Sequence, residues 1–242
     1  MPLPKIATPT YELVLPSTGK KIKYRPFLVK EEKILILALE SEDQKQITEA
    51  VKDTLKSCIQ TRGVKIDELP TFDIEYIFLN IRGKSVGESV DVIITCPDDE
   101  KTTVPVKIYI DEIQVQKEKD HNCDIKLDNS FTLRMKYPSL DQFIETNFSI
   151  SNFEERVGME ESFKLIASCI DMVFNDEESW AASDCTKKEL SQFLDQLDTK
   201  QFKEIENFFA TMPKLTHTIK VTNPNTNVES EVKLEGITSF FE

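Results

Sequence analysis

Residues 76–97 read YIFLNIRGKSVGESVDVIITCP, and the spacing of apolar side chains changes within this stretch. Apolar residues recur at helical spacing up to Gly83, which predicts a helix that ends at Gly83 and Gly87. After Gly87 the pattern alternates, which predicts a half-buried strand. The helical stripe consists of Ile74, Ile77, Phe78 and Ile81, and the strand carries Val90, Val92 and Ile94.

The tripeptide Gly83-Lys84-Ser85 matches the last three letters of a phosphate-binding loop. Such a loop needs a further glycine five residues earlier, where this chain has Phe78. It also follows a strand and opens a helix, whereas the predicted order here is reversed. The chain has only 6 glycines, which argues against other phosphate-binding loops as well. The sequence therefore does not predict a nucleotide site.

Length and charge narrow the class of protein. The 242 residues suffice for one large or two small domains with a hydrophobic core. A formal net charge of −13 disfavours a nucleic-acid partner, since DNA and RNA carry dense negative charge. The acidity suits either solubility or a basic protein partner. No apolar run reaches the roughly 18 residues of a membrane span. The cysteines are odd in number and widely spaced, which indicates a reduced chain without a disulfide framework.

Turn signals between alternating segments predict the order hairpin, helices, hairpin, and then the same order again. Short matches link the two parts: KYRP with MKYP, TCP with TNP, and VKI with VKL. We therefore predict an α+β fold with two pseudo-repeated halves, each with β-hairpins flanking a helical bundle. The halves span residues 1–116 and 117–242, and the charged segment QKEKDHNC is the candidate linker. Chance is the alternative explanation, because short hairpins look alike.

Three local expectations follow from the same patterns. Residues 30–40, which include the apolar run ILILAL, are predicted to form a mostly buried helix. The spacing of Phe163, Ile166, Ile170 and Val173 predicts a helix over 159–174. Trp180 lies in SWAASD, which is predicted to be a loop between helices, where the ring is an interface anchor or a core plug.

A metal site is the alternative reading of function. His121 and Cys123 form a close pair, and Cys96 could join them from the turn of a hairpin. A structural zinc site needs four ligands, usually paired at short spacing, and here the fourth ligand is missing. With 2 histidines and no G-x-S-x-G motif, the sequence gives no positive sign of nucleophilic catalysis. The alternative is therefore a small zinc module or a metal-dependent enzyme using these three residues.

Several stretches resemble a known family. YIFLNIRGKSVGESVDV, LPSTGK, FLVKEEKILILALES and KYPSLDQF are similar to the corresponding segments of the T-even-type myophage baseplate hub assembly proteins. The resemblance extends over most of the chain. It implies a bacteriophage tail baseplate hub subunit or hub assembly factor that acts through protein–protein contacts, with no catalysis and no cofactor. It places the chain in the host cytoplasm during assembly, with the virion tail baseplate as the further location.

The implied partners are other baseplate hub proteins, with the tape-measure protein as a further candidate, and no nucleic acid or membrane. An oligomer within a symmetric assembly fits this role. Candidate contact residues are Arg82, Lys84 and Ser85 at the helix–strand junction and Phe240 and Phe241 near residue 242. The two cations would suit a carboxylate on a partner, and the alternative, which the sequence favours slightly, is that they cap the last carbonyls of the preceding helix. The two aromatic residues either fold back onto the core or dock a partner.

Overall fold

The chain folds into two units, one of which is inserted into the other. The computed structural model describes residues 6–41, 43–128, 130–145 and 159–236. Unit 1 comprises residues 1–116 and 214–242, and unit 2 comprises residues 117–213. Both units combine α-helices with small antiparallel sheets, which confirms the predicted α+β class. The last hairpin groups with unit 1, whereas the sequence pattern placed it in the predicted second half. The duplication stays a prediction.

In its described part, unit 1 combines hairpins with three helices. The helices are α1 (Val29–Glu40), α2 (Gln44–Cys58) and α3 (Thr71–Ser85), with 3-10 turns at Ile66–Glu68 and Ile110–Glu112. The strands are β1 (Tyr11–Val14), β2 (Lys21–Tyr24), β3 (Ser89–Thr95), β4 (Thr103–Tyr109), β5 (Gln114–Gln116), β10 (Lys214–Thr222) and β11 (Glu229–Glu235). β1 pairs with β2 and β3 pairs with β4, while the third sheet has the order β11-β10-β5.

The core of unit 1 follows the alternation seen in the sequence. Val90, Val92 and Ile94 of β3 are buried, as their spacing predicts. They share one apolar cluster with Leu79 of α3 and Leu215 of β10. The cluster therefore needs strands from both sequence segments of unit 1. α3 differs from expectation because it continues through Gly83, whose missing side chain leaves room for Ile110: a Cβ there would lie 3.0 Å from Ile110 Cδ1.

Three hairpin loops of unit 1 have the same backbone hydrogen bond, and in the loop between β3 and β4 the N–H of Glu100, at φ 54°, donates to the carbonyl of Cys96 at 3.0 Å. The N–H of Gly19 donates to the carbonyl of Leu15 at 2.8 Å, and the N–H of Asn227 donates to the carbonyl of Asn223 at 2.8 Å. Gly19 has φ 68° and Asn227 has φ 58°, a left-handed conformation that glycine and asparagine adopt at low cost. Loop chemistry therefore explains why LPSTGK and NPNTNV both close hairpins.

Unit 2 has one four-stranded sheet and four helices in its described part. Its strands are β6 (Asp124–Lys126), β7 (Thr132–Met135), β8 (Ile170–Phe174) and β9 (Ser179–Ala181), in the order β6-β7-β8-β9. Its helices are α4 (Leu140–Glu145), α5 (Met159–Ser168), α6 (Lys187–Leu194) and α7 (Thr199–Thr211), with a 3-10 turn at Ala182–Asp184.

Two expectations for unit 2 are wrong. The helix predicted over 159–174 ends at Ser168, and the rest of that segment forms β8. The β-branched and aromatic side chains of IDMVF favour a strand, and pairing with β7 outweighs the helical spacing. Trp180 lies in the edge strand β9 instead of a loop. The centroid of its ring is 6.1 Å from that of the Phe131 ring.

Candidate interaction surface

The predicted junction residues take part in contacts within unit 1. Ser85 Oγ donates to the carbonyl of Ile81 at 2.6 Å and accepts from the N–H of Phe27 at 2.9 Å. Ser85 therefore joins the end of α3 to the segment that leads into α1. Lys84 forms an ion pair with Glu88, and that hydrogen bond raises the pKa of Lys84.

Arg82 is half-buried, and this burial lowers the pKa of its guanidinium. The exposed cation at this junction is therefore Lys84, whose ammonium group also lies 5.5 Å from the ring centroid of Tyr11. The structure thus brings Arg82, Lys84 and Ser85 together at the end of one helix, and their role as partner contacts stays a prediction. Phe240 and Phe241 lie outside the described residues.

Replacing Ser85 by alanine is expected to lower the free energy of unfolding by about 1–2 kcal/mol, because the N–H of Phe27 loses its acceptor. Urea unfolding followed by circular dichroism measures the change. Ser130→Ala is the matched control, since Ser130 is exposed and its hydrogen bond to Asp128 comes from the backbone N–H, which alanine keeps. Equal stability of the two variants would contradict the connecting role of Ser85.

The candidate zinc ligands are divided between the two units. Cys96 belongs to unit 1, whereas His121 and Cys123 belong to unit 2. His121 is buried and both of its ring nitrogens are hydrogen-bonded, Nδ1 to Thr211 at 2.9 Å and Nε2 to Tyr137 at 2.9 Å. Burial lowers the pKa of His121. Among the residues described, no three His, Cys, Asp or Glu side chains are grouped so that they could hold a metal ion.

Helix α1 presents an apolar surface to solvent, so the expectation of a mostly buried helix is wrong. Only Glu31 and Ala38 of α1 are buried, and these side chains mark its inner face. Val29 is 79% exposed and Leu39 is 61% exposed. We call the exposed residues the α1 surface: Val29, Ile34, Ile36, Leu37 and Leu39.

A buried ion pair fixes the start of α1. Arg25 Nη2 lies 2.9 Å from Glu31 Oε1, and the N–H of Leu28 donates to Glu31 Oε2 at 2.8 Å. Burial alone would raise the pKa of Glu31, but the hydrogen bonds from Arg25, Leu28 and Lys30 outweigh it and lower that pKa to about 2. The carboxylate therefore holds the first turn of the helix in place, and the α1 surface is presented on an anchored element.

One face of α1 packs against the rest of unit 1, and the opposite face is exposed to solvent. The inner face packs against α2. Asp43 caps the start of α2 by accepting a hydrogen bond from the N–H of Lys45 at 2.9 Å. The α1 surface exposes on the order of 500 Å² of apolar side chain, near the size of the largest patches on monomeric proteins. Patches of this size are often functional. The sequence signal was the run ILILAL itself, because six consecutive apolar residues of a helix extend beyond the one face that α2 can cover.

Comparison with known proteins identifies the family. A family model described as T4 bacteriophage base plate protein matches residues 8–242, nearly the whole chain. This match confirms the resemblance to T4-type baseplate proteins. No curated protein and no solved structure matches the chain. None of the helices in the described ranges has the length and apolar character that crossing a membrane requires. The chain therefore belongs to the T4 bacteriophage base plate protein family.

Proposed function

We propose that this chain serves the central hub of the phage tail baseplate, as a hub subunit or as a hub assembly factor, through protein–protein contacts. Its family implies a structural role in the virion tail and contacts with other baseplate proteins. The motifs quoted above support the narrower assignment to the hub, with assembly in the host cytoplasm and the tape-measure protein as a further partner. Contacts by Arg82, Lys84, Ser85, Phe240 and Phe241 are part of the proposal.

The α1 surface is the observation that carries this proposal. An apolar patch of this size on an anchored helix is costly in water, since each square ångström left exposed forgoes about 25 cal/mol of burial energy. A subunit of a larger assembly recovers that energy when a neighbour covers the patch. Members of structural assemblies are therefore expected to carry such surfaces.

Complementation of a phage that lacks this gene tests the proposed function. Ile36→Glu combined with Leu37→Glu should lower the yield of tailed particles about tenfold or more, because charges on the patch oppose its burial. Ile93→Glu is the matched control, since Ile93 is 69% exposed but lies on β3, away from α1 in the sequence. Normal yield from the α1 variant would contradict the role of this surface in assembly.

Mass spectrometry of purified virions then separates the two versions of the proposal. A hub subunit should be present in the particles and should crosslink to other hub proteins. An assembly factor should be required for yield yet absent from finished particles. A gene that is dispensable, with a product absent from particles, would overturn both versions.

A further inference from the structure

We propose that the α1 surface is the interface of a homodimer, in which α1 packs antiparallel against α1 of a second copy across a two-fold axis. The occupant of the patch is thus another copy of this chain. This inference deepens the proposed function and rests on it for its biological setting, although the dimer itself is testable with purified protein. Its support comes from the area of the patch and the placement of two charges on it.

The exposed area suits a small, stable dimer. Standard interfaces bury about 800 Å² on each partner, and the α1 surface supplies on the order of 500 Å² of this as apolar side chain. The polar rim of the helix supplies the remainder. A two-fold axis uses the same patch on both copies, so one apolar helix face is sufficient for both sides of the interface.

The charges of α1 distinguish antiparallel from parallel packing. Val29, Lys33, Ile36 and Glu40 are spaced by four, three and four residues, which places them on one helix face. Lys33 and Glu40 are exposed and lie on either side of Ile36 and Leu37. Among the ion pairs of the described residues, none involves Lys33 or Glu40.

Antiparallel packing centred between Ile36 and Leu37 brings Lys33 of each copy opposite Glu40 of the other. Parallel packing would instead bring like charges together, Lys33 against Lys33 and Glu40 against Glu40. Antiparallel packing also aligns the two helix dipoles favourably, since the positive end of each meets the negative end of the other. The charge pattern therefore favours the two-fold, antiparallel arrangement.

The net charge of −13 opposes association at long range. Salt screens this repulsion within about 8 Å at physiological ionic strength, so the local composition of the patch decides the outcome. Apolar side chains with one charge of each sign on the same face give a patch that attracts its own copy.

Sedimentation equilibrium of the full chain at physiological salt tests the dimer. The unchanged chain should sediment as a dimer at micromolar concentration, and Ile36→Glu with Leu37→Glu should weaken dimerisation by about 100-fold or more. Ile93→Glu should leave the dimer intact. Circular dichroism of each variant reports whether the fold is preserved, so a loss of the dimer through unfolding would be recognised.

A charge exchange tests the antiparallel arrangement even if the glutamate variants fail to fold. Lys33→Glu alone and Glu40→Lys alone should each weaken the dimer about tenfold, because each change replaces two symmetric attractive pairs by repulsive ones. The combined variant should restore the dimer, since the pairs re-form with opposite polarity. Failure of the combined variant to recover would overturn the antiparallel register.

Two results would overturn the proposal as a whole. One is a chain that stays monomeric at all concentrations. The other is a monomer that dimerises only after residues 237–242 are removed, which would make that segment the occupant of the α1 surface. In either case, a lowered particle yield from the α1 variants would leave the proposed function standing. Conversely, a dimer in solution whose α1 variants give normal particle yield would support the dimer and contradict the role of the α1 surface in assembly.

Discussion

Replacing Phe208 by alanine is expected to lower the free energy of unfolding of unit 2 by about 3–5 kcal/mol, the largest effect of any substitution considered. Phe208 is 2% exposed and lies at the centre of an aromatic group. Its ring centroid is 5.1 Å from that of His121, 5.7 Å from that of Tyr137 and 5.1 Å from that of Phe209. Truncation removes these contacts and leaves a cavity that the surrounding rings fill only partly.

Urea unfolding monitored by near-ultraviolet circular dichroism measures this loss, because the signal reports fixed aromatic side chains. Phe131→Ala is the matched control: Phe131 is 37% exposed and belongs to the same unit. The control should lose far less stability than Phe208→Ala. Similar losses for the two variants would show that Phe208 does not hold the core of unit 2 together.

The second large effect is acid destabilisation through Glu31. Hydrogen bonds outweigh burial and lower the pKa of this carboxyl from 4.5 to about 2 in the folded chain. A lowered pKa means that the folded state favours the ionised form. The resulting stabilisation, on the order of 3 kcal/mol, is fully present above pH 4.5 and is lost as the pH falls towards 2.

Glu31→Gln should therefore lower the stability of unit 1 at neutral pH and should flatten its pH dependence between about 4.5 and 2. Unfolding by urea at a series of pH values measures both changes. Glu32→Gln is the matched control, because Glu32 is the next residue of the same helix and forms none of the hydrogen bonds of Glu31. An unchanged pH profile for Glu31→Gln would contradict the anchoring of α1 by its ion pair with Arg25.

The hairpins and most helices could be predicted because their signals are local. Alternating apolar residues define β3, and the proline-containing loops define where strands turn. The change of period between α3 and β3 also gave the right element types, although the helix ends later than Gly83 suggested. That error has a physical reason, since Gly83 serves close packing against Ile110, a tertiary contact that no local pattern reveals.

The candidate surface was harder to predict than the fold. An apolar helix looks the same in sequence whether it is covered by its own chain or by another copy, so α1 was expected to be mostly buried. Of the residues chosen from the sequence, Lys84 and Ser85 carry polar groups that already bind partners within unit 1, and Arg82 is half-buried. Likewise, IDMVF has both helical spacing and strand composition, and only pairing with β7 decides between them.

The insertion of unit 2 has a consequence for synthesis on the ribosome. Gln116 of β5 lies opposite Lys214 of β10, so the chain leaves unit 1 and returns to it at neighbouring strands. Between these two points the ribosome adds about 100 residues, which takes about 5–20 s at usual bacterial rates. During that interval Leu79 and Ile113 lack Leu215, which later completes their cluster. The first segment of unit 1 therefore lacks part of its core during this interval, and unit 2 can finish folding before unit 1 does.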